Sequence, residues 1–248
     1  MSEEKSSGSV KKTCSSKPVE QRRMTDQEFL EAAYQVFAAI KQGKKKIALK
    51  VHQDSLHTAN LKPITVKQIG DQETIKALAT WRKKHAVWFP AQFEVTLEGT
   101  GKWLENQVIG TKDRLLFMIY DLDDTPAGHM GFFRFTPVER ACEIDNIVRG
   151  RTDILPGTMT SALNTMLKWG FGTLGLDALY LRVFSENKRA VALYKRCGFE
   201  PVKLIPLLKE ETPSMVKWVE APEDFTGEAE RSYLQMKLDK KDFIATSN

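Results

Sequence analysis

"ALYLRVFSENKRAVALYKRCGFEP", residues 178–201, is the stretch from which the rest of the chain can be read. Its first seven residues read as a strand. Asn187 follows at a place suited to capping a helix, because its side chain can accept from the unpaired amides of a first turn. The run from Lys188 to Arg196 is short and amphipathic and holds a lone tyrosine, Tyr194. Gly198 then reads as the residue just past the helix, since the left-handed conformation that ends such helices is cheap only without a side chain. Leu193 and Phe199 read as packing.

Working outward, residues 141–150 form a strand candidate, and residues 155–176 place Met159, Ala162, Leu163, Met166, Leu167 and Phe171 at helical spacing, with Pro156 in a first-turn position. Two further strand-like runs, 114–122 and 128–138, flank a turn-rich segment, so 114–150 outlines an antiparallel meander. Upstream lie a strand candidate at 61–69 and helix candidates at 71–88 and 96–109, the second weakened by glycine. Downstream, 201–208 and 231–238 read as the last strands, with a long excursion over 210–230 between them. Residues 25–43 open on a threonine cap and carry an apolar stripe through Phe29, Ala32, Ala33, Val36, Phe37 and Ile40, as a core-facing helix does. Residues 45–51 give only a weak signal, for a short strand or a loop approach. The expected division is a disordered basic tail over 1–24, an N-terminal helical extension over 25–60, and one main domain over 61–248.

Composition sets the broad class. Of 248 residues, 42% are apolar and 28% charged, which suits a soluble globular protein. No run approaches the roughly 20 apolar residues of a membrane span. The Ser-rich, charged start lacks an apolar leader core, so the expected address is cytoplasmic and no membrane partner is expected. Cys14, Cys142 and Cys197 are too scattered for a disulfide framework or a metal site, so no metal is expected. The net charge of +5 sits partly in the tail and in residues 41–46. It fits an anionic nucleotide substrate as well as nucleic acid, and nucleic acid is not the expected partner.

Three linked pieces carry a resemblance: "EIDNIVRGRTDILPGTMTSAL" at 143–163, "LYLRVFSENKRA" at 179–190, and "ALYKRCGFEP" at 192–201. In order and spacing they resemble the core of the GCN5-related N-acetyltransferase superfamily. That resemblance implies an α/β fold: a mixed, mostly antiparallel twisted sheet with a central splayed parallel strand pair, here 143–149 and 179–185, and flanking helices. It implies acetyl-CoA as acyl donor, with pantetheine paired to the strand edges opened by the splay. The diphosphate would rest at the turn into the helix after Pro156, where backbone amides and partial positive charge favour an anion. The cofactor-binding residues implied are Val148, Arg149, Gly150, Arg151, Gly157, Thr158, Asn187, Arg189 and Tyr194. The family pattern has two closely spaced glycines at the turn, whereas here only Gly157 stands at the helix start, with Met159 where a second small residue is expected. Tyr194 resembles the family tyrosine that protonates the departing thiolate. Read without the resemblance, it is an ordinary core or boundary residue of an amphipathic helix.

Amine acetylation needs a group to take a proton from the ammonium. Strand alternation places Glu143, Asp145 and Ile147 on one face and Ile144, Asn146 and Val148 on the other, so Glu143 and Asp145 can share a pocket as candidate bases or stand as a pair of solvent-facing acids. His129 is a further candidate base or substrate contact, or a satisfied interior histidine. Within the superfamily, Arg82, Trp88, Phe89 and Trp103 resemble the branch that holds the nucleotide-amino-sugar and ribosomal-protein N-terminal acetyltransferases. That likeness implies a substrate site at Arg82, Trp88, Phe89, His129 and Asn146, with aromatic stacking and an arginine for phosphate. The same aromatics could instead anchor two helices to the sheet.

The reading is an N-acetyltransferase working by direct transfer, with a nucleotide-linked amino sugar as leading acceptor. A protein N-terminal or lysine acetyltransferase and a non-catalytic acyl-CoA-binding module are the rivals. The N-terminal helix and the 210–230 excursion are candidates for homodimer contacts or for covering the acceptor.

Overall fold

The computed structural model describes residues 24–246. The expected tail lies, up to residue 23, outside the described residues, as does Cys14.

One ten-stranded sheet runs through the molecule in the order β1-β2-β4-β5-β6-β7-β10-β8-β9-β3. All neighbours are antiparallel except β6 (Ala141–Arg149) and β7 (Ala178–Phe184), which are parallel. This is the mixed sheet with a central parallel pair that the resemblance implies, and 114–149 forms the expected meander as β4 (Leu115–Tyr120), β5 (Pro126–Thr136) and β6.

Both faces of the central strands are covered. On one face α1 (Asp26–Lys41), α4 (Thr158–Thr173) and α5 (Lys188–Arg196) bury Phe37, Leu163, Leu167 and Tyr194 against Phe117 and Phe132. On the other, α2 (Gln72–Lys84) and the segment after it bury Leu78, Trp81 and Val108 against Leu116 and Met118. β4 therefore reads as an unbroken apolar run, because its odd and even residues meet two different cores.

Residues 25–60 share this architecture. α1 starts on a reciprocal capping box between Thr25 and Glu28. The hairpin of β1 (Leu49–Gln53) and β2 (Leu56–Pro63) extends the same sheet beside β4.

Several local expectations are corrected. Asn146 adopts a left-handed conformation, φ 54°, and the β5–β6 register shifts between His129 and Gly131. This bulge reverses the alternation after Asp145, so Ile147 turns with Ile144 toward the first core while Val148 meets the second. Pro156 precedes the N-cap, which is Gly157. The helix over 96–109 is α for α3 (Leu97–Trp103) and continues as a π turn from Leu104 to Ile109. Most of the 210–230 excursion is a hairpin: β8 (Glu200–Thr212) turns into β9 (Met215–Glu220) before β10 (Arg231–Asp239).

β3 (Ala91–Phe93) leaves the end of α2 and joins the far edge of the sheet against β9. The crossing is tied down where the Trp218 amide donates to Pro90 (2.7 Å) and Arg231 donates to the Val87 carbonyl (3.2 Å). It forms a roof over the open end of the parallel pair.

Candidate active site

β6 and β7 pair only at Ala141–Ala178, Cys142–Leu179 and Glu143–Tyr180, although both strands continue. β5 holds β6 as far as Arg149, and β10 holds β7 as far as Phe184. From Ile144 and Leu181 onward, each strand thus keeps one edge of unpaired backbone groups. The bulge at Asn146 bends β6 and opens the wedge. The wedge is part of a cleft of about 1220 Å³ that runs from the start of α4 to β9.

At one end lies the start of α4. Gly157 caps it with φ 91° and no side-chain hydrogen bond, leaving the first-turn amides without a capping side chain. Gly157, Thr158, Asn187, Arg189 and Tyr194 all line the cleft, as do Val148 and Arg149. The Asn187 side chain accepts from the Ala190 amide (3.2 Å), so it caps α5 while facing the cleft. Arg149 braces the adjoining loop by donating to the Arg151 and Thr152 carbonyls (3.0 and 2.7 Å). Gly150 and Arg151 stand outside the cleft. A Cβ on Gly150 would lie 2.1 Å from the Trp81 ring, so this glycine admits the indole of α2. Arg151 is engaged by Asp153 (2.7 Å) and Asp121 (2.5 Å), which in that order raise its already high basicity.

Tyr194 is 7% exposed, edge-on to Phe199. Burial, with Asp145 and Cys197 adding to it, pushes its phenol well above the ordinary value. Its hydroxyl makes no hydrogen bond to the protein among the described residues. Of the paired acids, Glu143 is clamped by Arg182 (2.7 and 3.0 Å) and Arg134 (3.1 Å). Asp145 accepts on Oδ2 from Arg114 (3.2 Å) and Asn146 (2.7 Å), and Oδ1 has no hydrogen-bond partner among the described residues.

At the other end the roof and the β8–β10 wing enclose an aromatic, basic surface. Arg82 lies over Phe89 (3.7 Å) and Phe93 (5.2 Å) and donates from Nη2 to the Ala91 carbonyl. Its Nη1 is buried without a partner, no carboxylate among the described residues pairs with it, and burial lowers it to about 10. Trp88 is 40% exposed on the rim, and Trp103 packs on the second core. Seven arginines and one lysine line the whole cleft against four carboxylates, Glu94, Glu143, Asp145 and Glu220. Three of those carboxylates are already bound by arginines, so the free charge of the cleft is positive.

His129 is buried and stacked on Trp81 (5.9 Å), with Nδ1 unpartnered. Burial lowers it to about 4 from 6.5, the Asn146 backbone opposing and His85 adding a smaller push. It is therefore neutral near pH 7. Between these values the unfolded chain binds the proton and the native one does not, so stability is fully present above about 6.5 and falls as pH drops toward 4. The loss integrates to roughly 3 kcal/mol. Denaturant midpoints at pH 7 and 5 should show about 2 kcal/mol of this loss in the native sequence and much less of it in His129→Gln; equal acid losses would assign it to other groups.

Arg114, Arg134, Arg182, Lys217, Trp218, Glu220 and Tyr233 line the cleft without a sequence signal that singled them out. Each is an ordinary strand or strand-end residue until register places it opposite a partner.

The profile described as "Acetyltransferase (GNAT) domain" matches residues 63–200. Spermidine N(1)-acetyltransferase of Vibrio cholerae serotype O1 is 28% identical over 134 residues, spanning 52% of this chain and 73% of that protein. Its Escherichia coli counterpart is 26% identical over 149 residues, spanning 58% and 74%. Among solved structures, a chimera of the Vibrio cholerae spermidine N-acetyltransferase SpeG and hSSAT superposes with TM-score 0.57 at 18% identity, covering 75% of this chain and 98% of that one. Apo FdhC, described as a nucleotide-linked sugar GNAT, gives TM-score 0.57 at 13% identity, covering 82% and 96%.

Proposed function

Because the chain belongs to the GNAT acetyltransferase family, whose domains use acetyl-CoA as donor, we propose that it acetylates the primary amine of a nucleotide-linked amino sugar by direct transfer. The observation that carries the acceptor class is the free positive charge of the cleft, which includes a half-buried arginine, Arg82, with no carboxylate partner among the described residues. An unpaired buried charge is costly, and an acceptor phosphate would offset that cost.

The chain's residues suit the donor. Unpaired edges on β6 and β7 match the amides of a pantetheine arm, and the α4 start, in a cleft that Arg189 also lines, matches a diphosphate. When bound, acetyl-CoA supplies an activated thioester carbonyl. Asp145 takes the ammonium proton on Oδ1, the oxygen without another donor. Glu143, with both oxygens held by arginines, shapes the cationic wall. Tyr194 carries its proton throughout the neutral range, the state from which an acid must start, and donates it from Oη to the departing sulfur. The buried Cys197, whose thiol burial pushes up to about 11, takes no part as a nucleophile.

A polyamine acceptor is the second reading, and the similarity to spermidine acetyltransferases favours it. A polycation needs free carboxylates, and among the described residues Glu94 alone of the cleft acids has no ion-pair partner. The test is acetyl-CoA turnover, read as thiol release and product mass, on a nucleotide-linked amino sugar, a free amino sugar, spermidine and a peptide with a free N-terminus. The nucleotide-linked sugar should give the highest kcat/KM. A higher value for spermidine would overturn the acceptor reading, and a higher value for the peptide would replace it with a protein acetyltransferase.

A further inference from the structure

We propose that Gln53, in the hairpin ahead of the family-matched region, is a positioning residue for the diphosphate-binding turn at the start of α4. The proposal rests on the reading of that turn given above.

The contact is close and specific. A Cβ on Gly157 would lie 2.8 Å from Gln53 Nε2 and 2.9 Å from Oε1, so the carboxamide lies against the α-carbon of the N-cap residue. Gly157 holds φ 91°, a conformation that L side chains rarely adopt, and no side chain caps the helix. Gln53 thus fills the space on the side of Gly157 where any other residue would carry its side chain. It does not itself line the cleft. Oε1 is buried and accepts no hydrogen bond among the described residues.

The hairpin fixes this side chain. Gln53 pairs with Leu56 across a two-residue turn in which Asp54 and Ser55 have φ 48° and 68°. Such a turn needs positive φ at both positions and is usually built with Asn or Gly. β1 also bulges between Val51 and His52. Strain in the turn and a bulge just before it together set where residue 53 points. β1 packs along α4, so the aim is carried by the body of the hairpin. In consequence the left-handed N-cap is braced from behind, and its first-turn amides are held toward the cleft. A neutral carboxamide does this without placing charge beside the bound anion. A carboxylate of the same shape would repel it.

The test compares the full chain with Gln53→Glu and Gln53→Ala, using acetyl-CoA and acetyl-pantetheine, which lacks the diphosphate, as alternative donors with the best acceptor. For Gln53→Glu the KM for acetyl-CoA should rise about tenfold or more, with kcat within about twofold and unchanged KM values for the amine and for acetyl-pantetheine. Gln53→Ala should raise the acetyl-CoA KM by a smaller factor, and it preserves the test if the glutamate variant does not fold. If the native chain prefers acetyl-CoA and both variants keep its KM, Gln53 is not a positioning residue while the cofactor reading stands. Equal losses with both donors would reduce its role to general stability and also overturn the proposal. A native chain that uses the two donors equally well would remove the diphosphate turn itself, and the role of Gln53 with it.

Discussion

Tyr194→Phe is expected to lower kcat about 100-fold or more, the usual contribution of a positioned proton donor, while the KM for acetyl-CoA stays within about twofold. The substitution removes one oxygen and keeps the ring that packs beside Phe199 in the first core. It leaves no lost hydrogen bond behind, because the hydroxyl has no protein partner among the described residues, so folding should be nearly unaffected. Steady-state kinetics beside a thermal melt separate the outcomes. An unchanged kcat with a normal melt would remove Tyr194 from the acid role, and a lower melting point with proportionate loss of both parameters would make it a packing residue. Asp145→Asn provides a contrast: it should also lower kcat, but its effect should shrink as pH rises and the amine loses its proton without help.

Arg82→Met should cost the nucleotide-linked acceptor about 10- to 100-fold in kcat/KM, the value of one charge-assisted hydrogen bond made or lost. Methionine keeps most of the apolar stem beside Phe89 and Phe93 and removes the guanidinium, so the loss should fall on acceptor binding and leave the acetyl-CoA KM unchanged. The same variant should improve any residual activity on spermidine, because a positive charge near a polycation is removed. Measuring both acceptors on one protein preparation makes the opposite signs the readout. A parallel fall on both would mean that Arg82 supports the roof through its bond to the Ala91 carbonyl and does not read charge.

These expectations rest on residues of two kinds. The elements around 141–201 were legible in the sequence because their signals are local: helical spacing in 158–173, a capping asparagine at 187 and a glycine past Arg196. The element order also carried the family resemblance, and with it the parallel pair. Tyr194, Asp145, Arg149 and Arg82 could be nominated, since they sit at fixed offsets from those signals or from the resemblance, and all four line one cleft. Gly150 and Arg151 share the same local stretch yet turn away, one toward Trp81 and the other toward two aspartates. Asp153 is two residues from Arg151, but nothing nearby in the chain foretells Trp81 or Asp121.

By itself, the sequence determined the helices and strands over 115–201 and which family the chain resembles, because hydrogen bonding along the backbone and burial of one face depend on residues a few positions apart; the strands at 56–63 and 91–93 carry no such local mark. Tertiary structure alone decided that Asn146 would bulge and redirect Ile147, that Arg182 and Arg134 would occupy both oxygens of Glu143, that Lys217 and Trp218 would reach the cleft, and that Gln53 would come to rest behind Gly157. Each of these depends on what packs opposite it, across the sheet or, for Gln53, at the start of α4. A charge becomes paired or free, and a turn braced or loose, only when strands distant in the chain settle into one register.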